Sequence, residues 1–105
     1  MKFLLILHIK DTYYFRPIEN RAEIQKEAFA FTEMYVQSGK LKQVYFTNDM
    51  KVAFALWEVE SNEELMSAIL EYPLTTYSDI ETFSVTDFKE TEKVLKQLAA
   101  SQKYY

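Results

Sequence analysis

Residues 57–85 read WEVESNEELMSAILEYPLTTYSDIETFSV, a pattern that predicts a strand, a capped helix, a tight connection and another strand. Ser61 precedes Glu64 by three residues, which is the spacing of a capping box. In such a box, Ser61 accepts from the backbone N–H of Glu64, and Glu64 accepts in return from the N–H of Ser61. Pro73 has no backbone donor and disfavours a helical conformation at Tyr72, so the helix should end there.

The rest of the chain has equally clear periodicity. It predicts a strand over Lys2–Lys10, a helix over about Ile18–Gln37, a hairpin of strands Leu41–Thr47 and Met50–Glu58, a last strand over Tyr77–Val85 and a helix starting near Asp87. Gly39, the only glycine, follows the long helix where a C-terminal cap is needed. Asn48 and Asp49 both tolerate positive φ, so they suit a two-residue turn between the hairpin strands.

The predicted order of elements is β-α-β-β-α-β with an added helix. This is the split βαβ, or ferredoxin-like, pattern of an α+β fold, with an antiparallel four-stranded sheet of order 4-1-3-2. The helices can cover only one face of that sheet, yet Leu4 and Ile6 make the second face apolar as well. We therefore expect a second copy of the chain to cover it, in a dimeric α+β barrel. The alternative is that these side chains are simply exposed.

Composition favours one packed domain and excludes several kinds of partner. The chain has 105 residues, of which 49% are hydrophobic and 27% charged, so we expect a single domain over residues 1–105. A net charge of −4 without a basic cluster argues against nucleic acid binding. The apolar run at residues 3–7 is too short for a signal peptide or a membrane span, so no membrane partner is expected. The lack of cysteine fits a reducing compartment, and we expect a cytoplasmic protein.

The sequence has no motif for a metal or a cofactor. A single glycine cannot build a phosphate-binding loop, and one histidine without cysteine excludes a His-rich or thiolate metal site. An all-carboxylate site stays open but has no motif. No nucleophile elbow is present. We therefore expect no cofactor.

The candidate catalytic residues are Asp79 and His8. His8 lies on the Leu4 and Ile6 side of the first strand, where an imidazole could act as acid or base. The alternative is a packed or edge histidine. Asp79 lies near the start of the last strand, where it could be a buried carboxylate that accepts a proton, or could hydrogen-bond the turn after Pro73.

The candidate ligand-binding residues are rings with polar ends and one cation. They are Tyr13, Arg16, Tyr45, Trp57 and Tyr77. Aromatic side chains with a polar handle suit ligand pockets, and an arginine can bind a carboxylate through two hydrogen bonds. The alternatives are core packing for the rings and a solvated loop position for Arg16.

The segment Leu70–Glu81 resembles the muconolactone isomerase family. In that family a capped helix runs into Pro-Leu, two residues, Tyr, one residue and Asp-Ile-Glu, as the residues from Pro73 onward do here. The similarity runs without gaps from about residue 39 to residue 81, and more loosely over the first strand and helix; the family commonly has proline where Thr76 stands. The resemblance implies a dimeric α+β barrel that is a homodimer or a higher oligomer, with a small-molecule ligand.

The resemblance also implies an activity, the movement of a double bond in an unsaturated lactone that bears a carboxylate. That reaction needs a base, a group that returns the proton, and a cation for the carboxylate. This chain departs from the family pattern at several positions. The family carries basic, histidine or otherwise charged residues where this chain has Gln43, Phe46, Met50, Ala28, Phe29 and Ala30.

Two classes of function therefore stay open. One is an isomerase, or a cofactor-free monooxygenase of the same architecture. The other is a non-catalytic, oligomeric ligand-binding or accessory protein. An acid/base pair beside an enclosed pocket would favour the enzyme, whereas a pocket lined by aromatics or filled by side chains would favour the binding protein.

Overall fold

The structure, a computed structural model, describes residues 1–102 of the chain. Its strands are β1 (Lys2–Ile9), β2 (Leu41–Phe46), β3 (Val52–Glu58) and β4 (Ser78–Val85), and its helices are α1 (Asp11–Tyr14), α2 (Ile18–Gln37), α3 (Asn62–Glu71) and α4 (Phe88–Gln102). The strands form one antiparallel sheet of order β2-β3-β1-β4, so the predicted ferredoxin-like α+β fold is confirmed. Within the described residues, no helix has the length and apolar character needed to cross a membrane.

Helix α3 begins and ends where the sequence predicts, because its cap and its proline define both ends. The Ser61 hydroxyl accepts from the Glu64 N–H at 3.2 Å. The return bond differs from the prediction: the Glu64 carboxylate accepts from the N–H of Glu60 at 2.9 Å and not from that of Ser61. Tyr72 is extended, with φ −67° and ψ 127°, as expected for the residue before Pro73.

Helix α2 matches its predicted range, whereas the connection before it was only partly predicted. Gly39 has φ +80°, which is the left-handed conformation that a helix C-terminus favours for glycine. The predicted connection between β1 and α2 contains one helical turn, α1. This turn brings Tyr13 under the start of α2, where the ring is buried.

The hairpin differs from the prediction in its turn and in its register. The turn has four residues, because the Thr47 N–H donates to the Val52 carbonyl at 2.9 Å and Met50 takes a positive φ of 62°. The pairing also shifts between Leu41 and Gln43, which marks a bulge in β2. Leu41 consequently joins the face of Trp57, whereas the sequence pattern placed it on the face of Gln43.

The hydrophobic core lies between one face of the sheet and the layer formed by α2 and α3. The buried strand residues of that core are Phe3, Leu5, Leu7, Leu41, Ala53, Ala55 and Trp57. From α3, Leu65 and Ala68 pack against them. The alternation of side chains along each strand directs this set inward and its neighbours to the opposite face.

The opposite face, here called the outer sheet face, has no cover in the isolated chain. Its apolar side chains are Leu4, Ile6, Tyr45, Val52, Phe54, Leu56 and Phe83, and all are exposed or half-buried. Helix α4 extends away from the sheet in a molecule 65 Å long, and Phe88, Leu95 and Leu98 on it are exposed. Both surfaces are therefore available to a second molecule.

Candidate functional site

The enclosed space of this fold lies between the inner face of the sheet and helices α2 and α3. It is a cavity of about 40 Å³ whose walls are formed mainly by apolar side chains. These include Leu5, Leu7, Val44, Ala55, Trp57 and Ile69. A row of rings borders it: Trp57 contacts Tyr35 with ring centroids 5.0 Å apart, Tyr35 contacts Phe31 at 4.7 Å, and Phe31 contacts Tyr72 at 5.3 Å. Side chains thus fill most of the space between sheet and helices.

Three residues with hydroxyl groups line this cavity, Tyr72, Thr32 and Thr75. Burial raises the pKa of Tyr72 above its usual value, although the adjacent Thr32 hydroxyl partly opposes this. The Tyr72 hydroxyl is therefore protonated at neutral pH. Thr32 donates to the Ala28 carbonyl at 2.9 Å, and Thr75 donates to the Ile69 carbonyl. Among residues 1–102, no carboxylate or imidazole lines the cavity, so its walls offer no base that works near neutrality.

The two candidate catalytic residues lie on the outer sheet face, away from the cavity. Asp79 and His8 are paired directly across β1 and β4, so the sequence-based neighbour relation is correct. Glu81 lies on the same face, with its Oε2 atom 4.0 Å from His8 Nε2. The imidazole of His8 thus lies near the Glu81 carboxylate, on a residue paired with Asp79, at one end of an apolar surface.

Asp79 adopts neither of the two environments considered from the sequence. Its side chain is 73% exposed, and its carboxylate lies 3.6 Å from the ammonium group of Lys10. The turn after Pro73 is instead held by Ser78, whose hydroxyl donates to the Leu74 carbonyl at 2.8 Å. In the isolated chain, Asp79 is thus a solvated carboxylate with a cationic neighbour.

A second concave surface lies at the end of the sheet, between α1, the start of α2 and the β2–β3 turn. This Tyr–Arg groove is defined by Ile9, Tyr13, Tyr14, Ile18, Arg21, Ala22, Gln25 and Met50, and its volume of about 440 Å³ is largely open to solvent. The Tyr13 hydroxyl donates to Gln25 Oε1 at 3.0 Å, with the Arg21 carbonyl 3.2 Å away. Burial raises the pKa of Tyr13, so this hydroxyl keeps its proton and its role as a donor at neutral pH.

Of the two arginines of the chain, Arg21 lines this groove, and Arg16 follows α1 and lies against Tyr77. Arg21 Nε donates to the Arg16 carbonyl at 3.2 Å, and its guanidinium lies 5.9 Å from the centre of the Tyr14 ring. Arg16 lies 5.3 Å from the centre of the Tyr77 ring and bonds Asn20 through Nε. Each cation therefore rests on an aromatic face.

The structure brings together some of the predicted ligand-binding residues and separates others. Tyr13 and Tyr77 are in contact, with ring centroids 5.8 Å apart, and Arg16 stacks on Tyr77. Trp57 is buried in the wall of the enclosed cavity, and Tyr45 is 62% exposed on the outer sheet face. The five residues thus belong to three different surfaces.

Sequence reasoning missed Arg21, Gln25 and Tyr72. The i, i+4 spacing places Arg21 and Gln25 on one side of α2, which is a signal that the sequence carries. The sequence did not predict the helical turn α1, which faces these two residues. The groove between α1 and α2 could therefore not be predicted either. Across residues 1–102, no group of three or more His, Cys, Asp or Glu side chains is arranged to hold a metal ion.

Solved structures of known proteins have the same fold. The chain resembles the crystal structure of muconolactone isomerase, with a TM-score of 0.71 and 16% identity over 83% of this chain and 90% of that one. It also resembles the 5-chloro-2-hydroxyhydroquinone dehydrochlorinase of Burkholderia phenoliruptrix in complex with 2,5-dihydroxybenzoquinone, with a TM-score of 0.57 and 20% identity over 82% of this chain and 96% of that one. No curated protein sequence matches the chain.

The family assignment rests on a longer match than the motif around Pro73. The family model described as muconolactone delta-isomerase matches residues 1–91, which include the whole sheet, α2 and α3. The match therefore covers far more than half of the 105 residues. This chain belongs to the muconolactone delta-isomerase family.

Proposed function

We propose that this chain is a non-catalytic, homo-oligomeric member of its family that binds small unsaturated ring compounds without transferring a proton. One observation carries the proposal: the enclosed cavity is almost filled by apolar side chains, and none of its polar groups is a base near neutral pH. Removal of a proton next to a carbonyl needs a base within hydrogen-bond reach of the reacting carbon. A cavity with only protonated hydroxyls cannot supply that step.

The departures from the family pattern support the same proposal. Ala28, at a position where the family carries charge, is buried against Tyr13 and Leu74. A charged side chain in that place would lose its hydration without gaining a partner, so the packing suits only a small apolar residue. Phe46, where the family has a basic or histidine residue, forms part of the cavity wall. Ala28 and Phe46 are thus compatible with the family fold but supply no ionisable group. A shared fold does not by itself determine function.

A second candidate is an isomerase whose site lies on the outer sheet face. It is favoured by the direct cross-strand pairing of His8 with Asp79 and by Glu81 at 4.0 Å from the imidazole. These groups are exposed in the isolated chain, and a second subunit over the outer sheet face would enclose them. Asp79 is then the base and His8 the group that returns the proton.

Cytoplasmic location, independence from cofactors and a single domain over residues 1–105 stay predictions of the sequence; residues 103–105 lie outside those that the structure describes.

One NMR experiment separates the two candidates. The protein is incubated with muconolactone-type lactones in heavy water, and both saturation transfer from protein to lactone and deuterium uptake by the lactone are followed. The proposal predicts saturation transfer with no deuterium uptake above that in buffer. Protein-dependent uptake would overturn it. If that uptake falls by about 10²–10⁴-fold in Asp79→Asn or His8→Ala, the outer-face isomerase replaces the binding protein.

A further inference from the structure

We propose that the enclosed cavity between the sheet and helices α2 and α3 is a binding site for one small, uncharged, nonpolar molecule of the size of a xenon atom or a diatomic gas. The inference goes beyond the proposed function, which concerns ring compounds, and does not depend on it. The cavity volume of about 40 Å³ exceeds the roughly 10–15 Å³ that a single water molecule needs. It is much smaller than the roughly 150 Å³ of an engineered apolar cavity that holds benzene. The cavity therefore has room for a small molecule but not for a six-membered ring.

The size of the cavity depends on buried alanines in its walls. Ala53 and Ala55 on the inner face of β3, and Ala68 on α3, are buried and line the cavity. Other wall residues, such as Leu5 and Trp57, have far larger side chains. Protein interiors are usually close-packed, with few voids larger than a water molecule, so a larger side chain in place of an alanine would fill this space.

The hydroxyl groups on the walls are engaged with other parts of the chain. Thr32 donates to the Ala28 carbonyl at 2.9 Å, and its side chain interacts with the Tyr72 hydroxyl. Thr75 donates to the Ile69 carbonyl. Among residues 1–102, no buried side-chain nitrogen or oxygen lacks a hydrogen-bond partner. A buried water needs roughly two to four polar partners, so water gains little by entering this cavity.

A nonpolar molecule gains contacts in this cavity without a polar cost. Wall atoms that face empty space lose dispersion contacts, and an atom that fills the space restores them. An ion would lose its hydration without gaining a partner, because no charged side chain of the described residues lines the cavity. Size and polarity therefore select the same class of ligand, which is uncharged, nonpolar and smaller than benzene.

The test uses xenon as the probe, because xenon is nonpolar, spherical and inert. ¹H–¹³C NMR spectra of the full chain are recorded under increasing xenon pressure. We expect the methyl signals of Leu5, Val44 and Ile69, which line the cavity, to shift and reach saturation. The methyl signals of Leu95 and Leu98, which are exposed on α4, should change only slightly and in proportion to the pressure. Equal, non-saturating shifts at all of these methyl groups would overturn the proposal.

A matched pair of substitutions tests whether the shifts arise in the cavity. Ala55→Val enlarges a side chain of the cavity wall and should abolish the saturating shifts. Ala30→Val makes the same change on the exposed side of α2 and should leave them unchanged. Ala53→Val replaces Ala55→Val if the latter does not fold. Saturating shifts that persist in a folded variant with a filled cavity would overturn the proposal.

Benzene and water test the size and the polarity of the ligand. Benzene should leave the cavity methyl signals of the wild-type protein unchanged, whereas Ile69→Ala, which enlarges the cavity, should admit benzene. Benzene that shifts the wild-type signals as xenon does would overturn the assigned size. A nuclear Overhauser effect from water to the Leu5 methyl groups that xenon does not reduce would overturn the assigned polarity, because water would then occupy the cavity. None of these results involves a lactone, so this inference and the proposed function can fail separately.

Discussion

At the scale of single residues, Glu64 does more than its spacing from Ser61 predicts. Its carboxylate accepts from the Glu60 N–H and forms an ion pair with Lys40, which follows α2. The hydrogen bond from Lys40 is the main cause that lowers the pKa of Glu64, followed by the backbone bond from Glu60. One side chain thus links the start of α3 to the chain that leads into β2.

This pKa shift predicts a pH-dependent contribution to stability. The folded-state pKa of Glu64 is below its unfolded value of 4.5, so the contribution is complete above that value and is lost as pH falls through the folded-state pKa. Glu64→Gln should lower the urea midpoint at pH 7 and have a smaller effect at about pH 3. Glu63→Gln, in the same first turn of α3, is the matched control. Equal effects of the two variants at pH 7 would mean that the contacts of Glu64 add nothing beyond the charge of the first turn.

Single residues also show where sequence reasoning reaches its limit. The capping role of Ser61 could be predicted because it depends on residues three positions apart. The environment of Asp79 depends on Lys10, which is distant in sequence. The position of Arg21 depends likewise on how α1 packs against α2. Such contacts leave no local pattern. Of the five ligand-binding residues expected from the sequence, Tyr13, Arg16 and Tyr77 are neighbours in the structure, and their role in binding stays a prediction.

At the scale of elements, the corner after α3 decides where the last strand begins. Tyr72 leaves the helix in an extended conformation, Pro73 follows it, and a 3-10 turn over Thr75–Tyr77 leads into β4. The Tyr77 carbonyl then accepts from the Lys10 N–H at 2.8 Å, which ties the corner to the end of β1. The corner therefore sets the register in which Asp79 pairs with His8 across β4 and β1.

Replacing the proline should loosen that corner. Pro73→Ala restores conformational freedom to the unfolded chain and lets the helix continue past Glu71, so we expect a loss of about 0.5–1 kcal/mol in the free energy of unfolding. Chemical denaturation measures it directly. An unchanged midpoint would mean that the hydrogen bonds of Thr75 and Ser78 hold the corner without the proline.

The elements themselves were largely predictable, and the exceptions have physical causes. Periodicity and caps gave α2 and α3 their correct ends, because both depend on neighbours along the chain. The hairpin register was wrong because a bulge near Lys42 and a four-residue turn change the pairing without changing composition. The four-residue turn moves the pairing by two residues, so Tyr45 and Phe54 still share one face as predicted, whereas the bulge moves Leu41 to the other face.

At the scale of the whole molecule, the outer sheet face and α4 are incomplete in a single chain. Apolar strand side chains such as Phe54 and Phe83 are exposed on a sheet that has helices on its other face only. Helix α4 has an apolar side, including Leu95 and Leu98, that no other part of the described chain buries. Large exposed apolar patches usually mark interaction surfaces, and a second copy of this chain would bury the same patch on each partner.

The claim on which both functional candidates depend is that a second copy covers the outer sheet face, and static light scattering at micromolar concentration tests it directly. Burial at about 25 cal/mol per Å² must offset the cost of association, so we expect an interface of at least roughly 1,000 Å². The predicted mass is twice the 12.5 kDa chain mass, or a multiple of that. Phe54→Glu should reduce this mass, while Met34→Glu, on the exposed side of α2, should not. A wild-type protein that scatters as a monomer of 12.5 kDa would contradict the account.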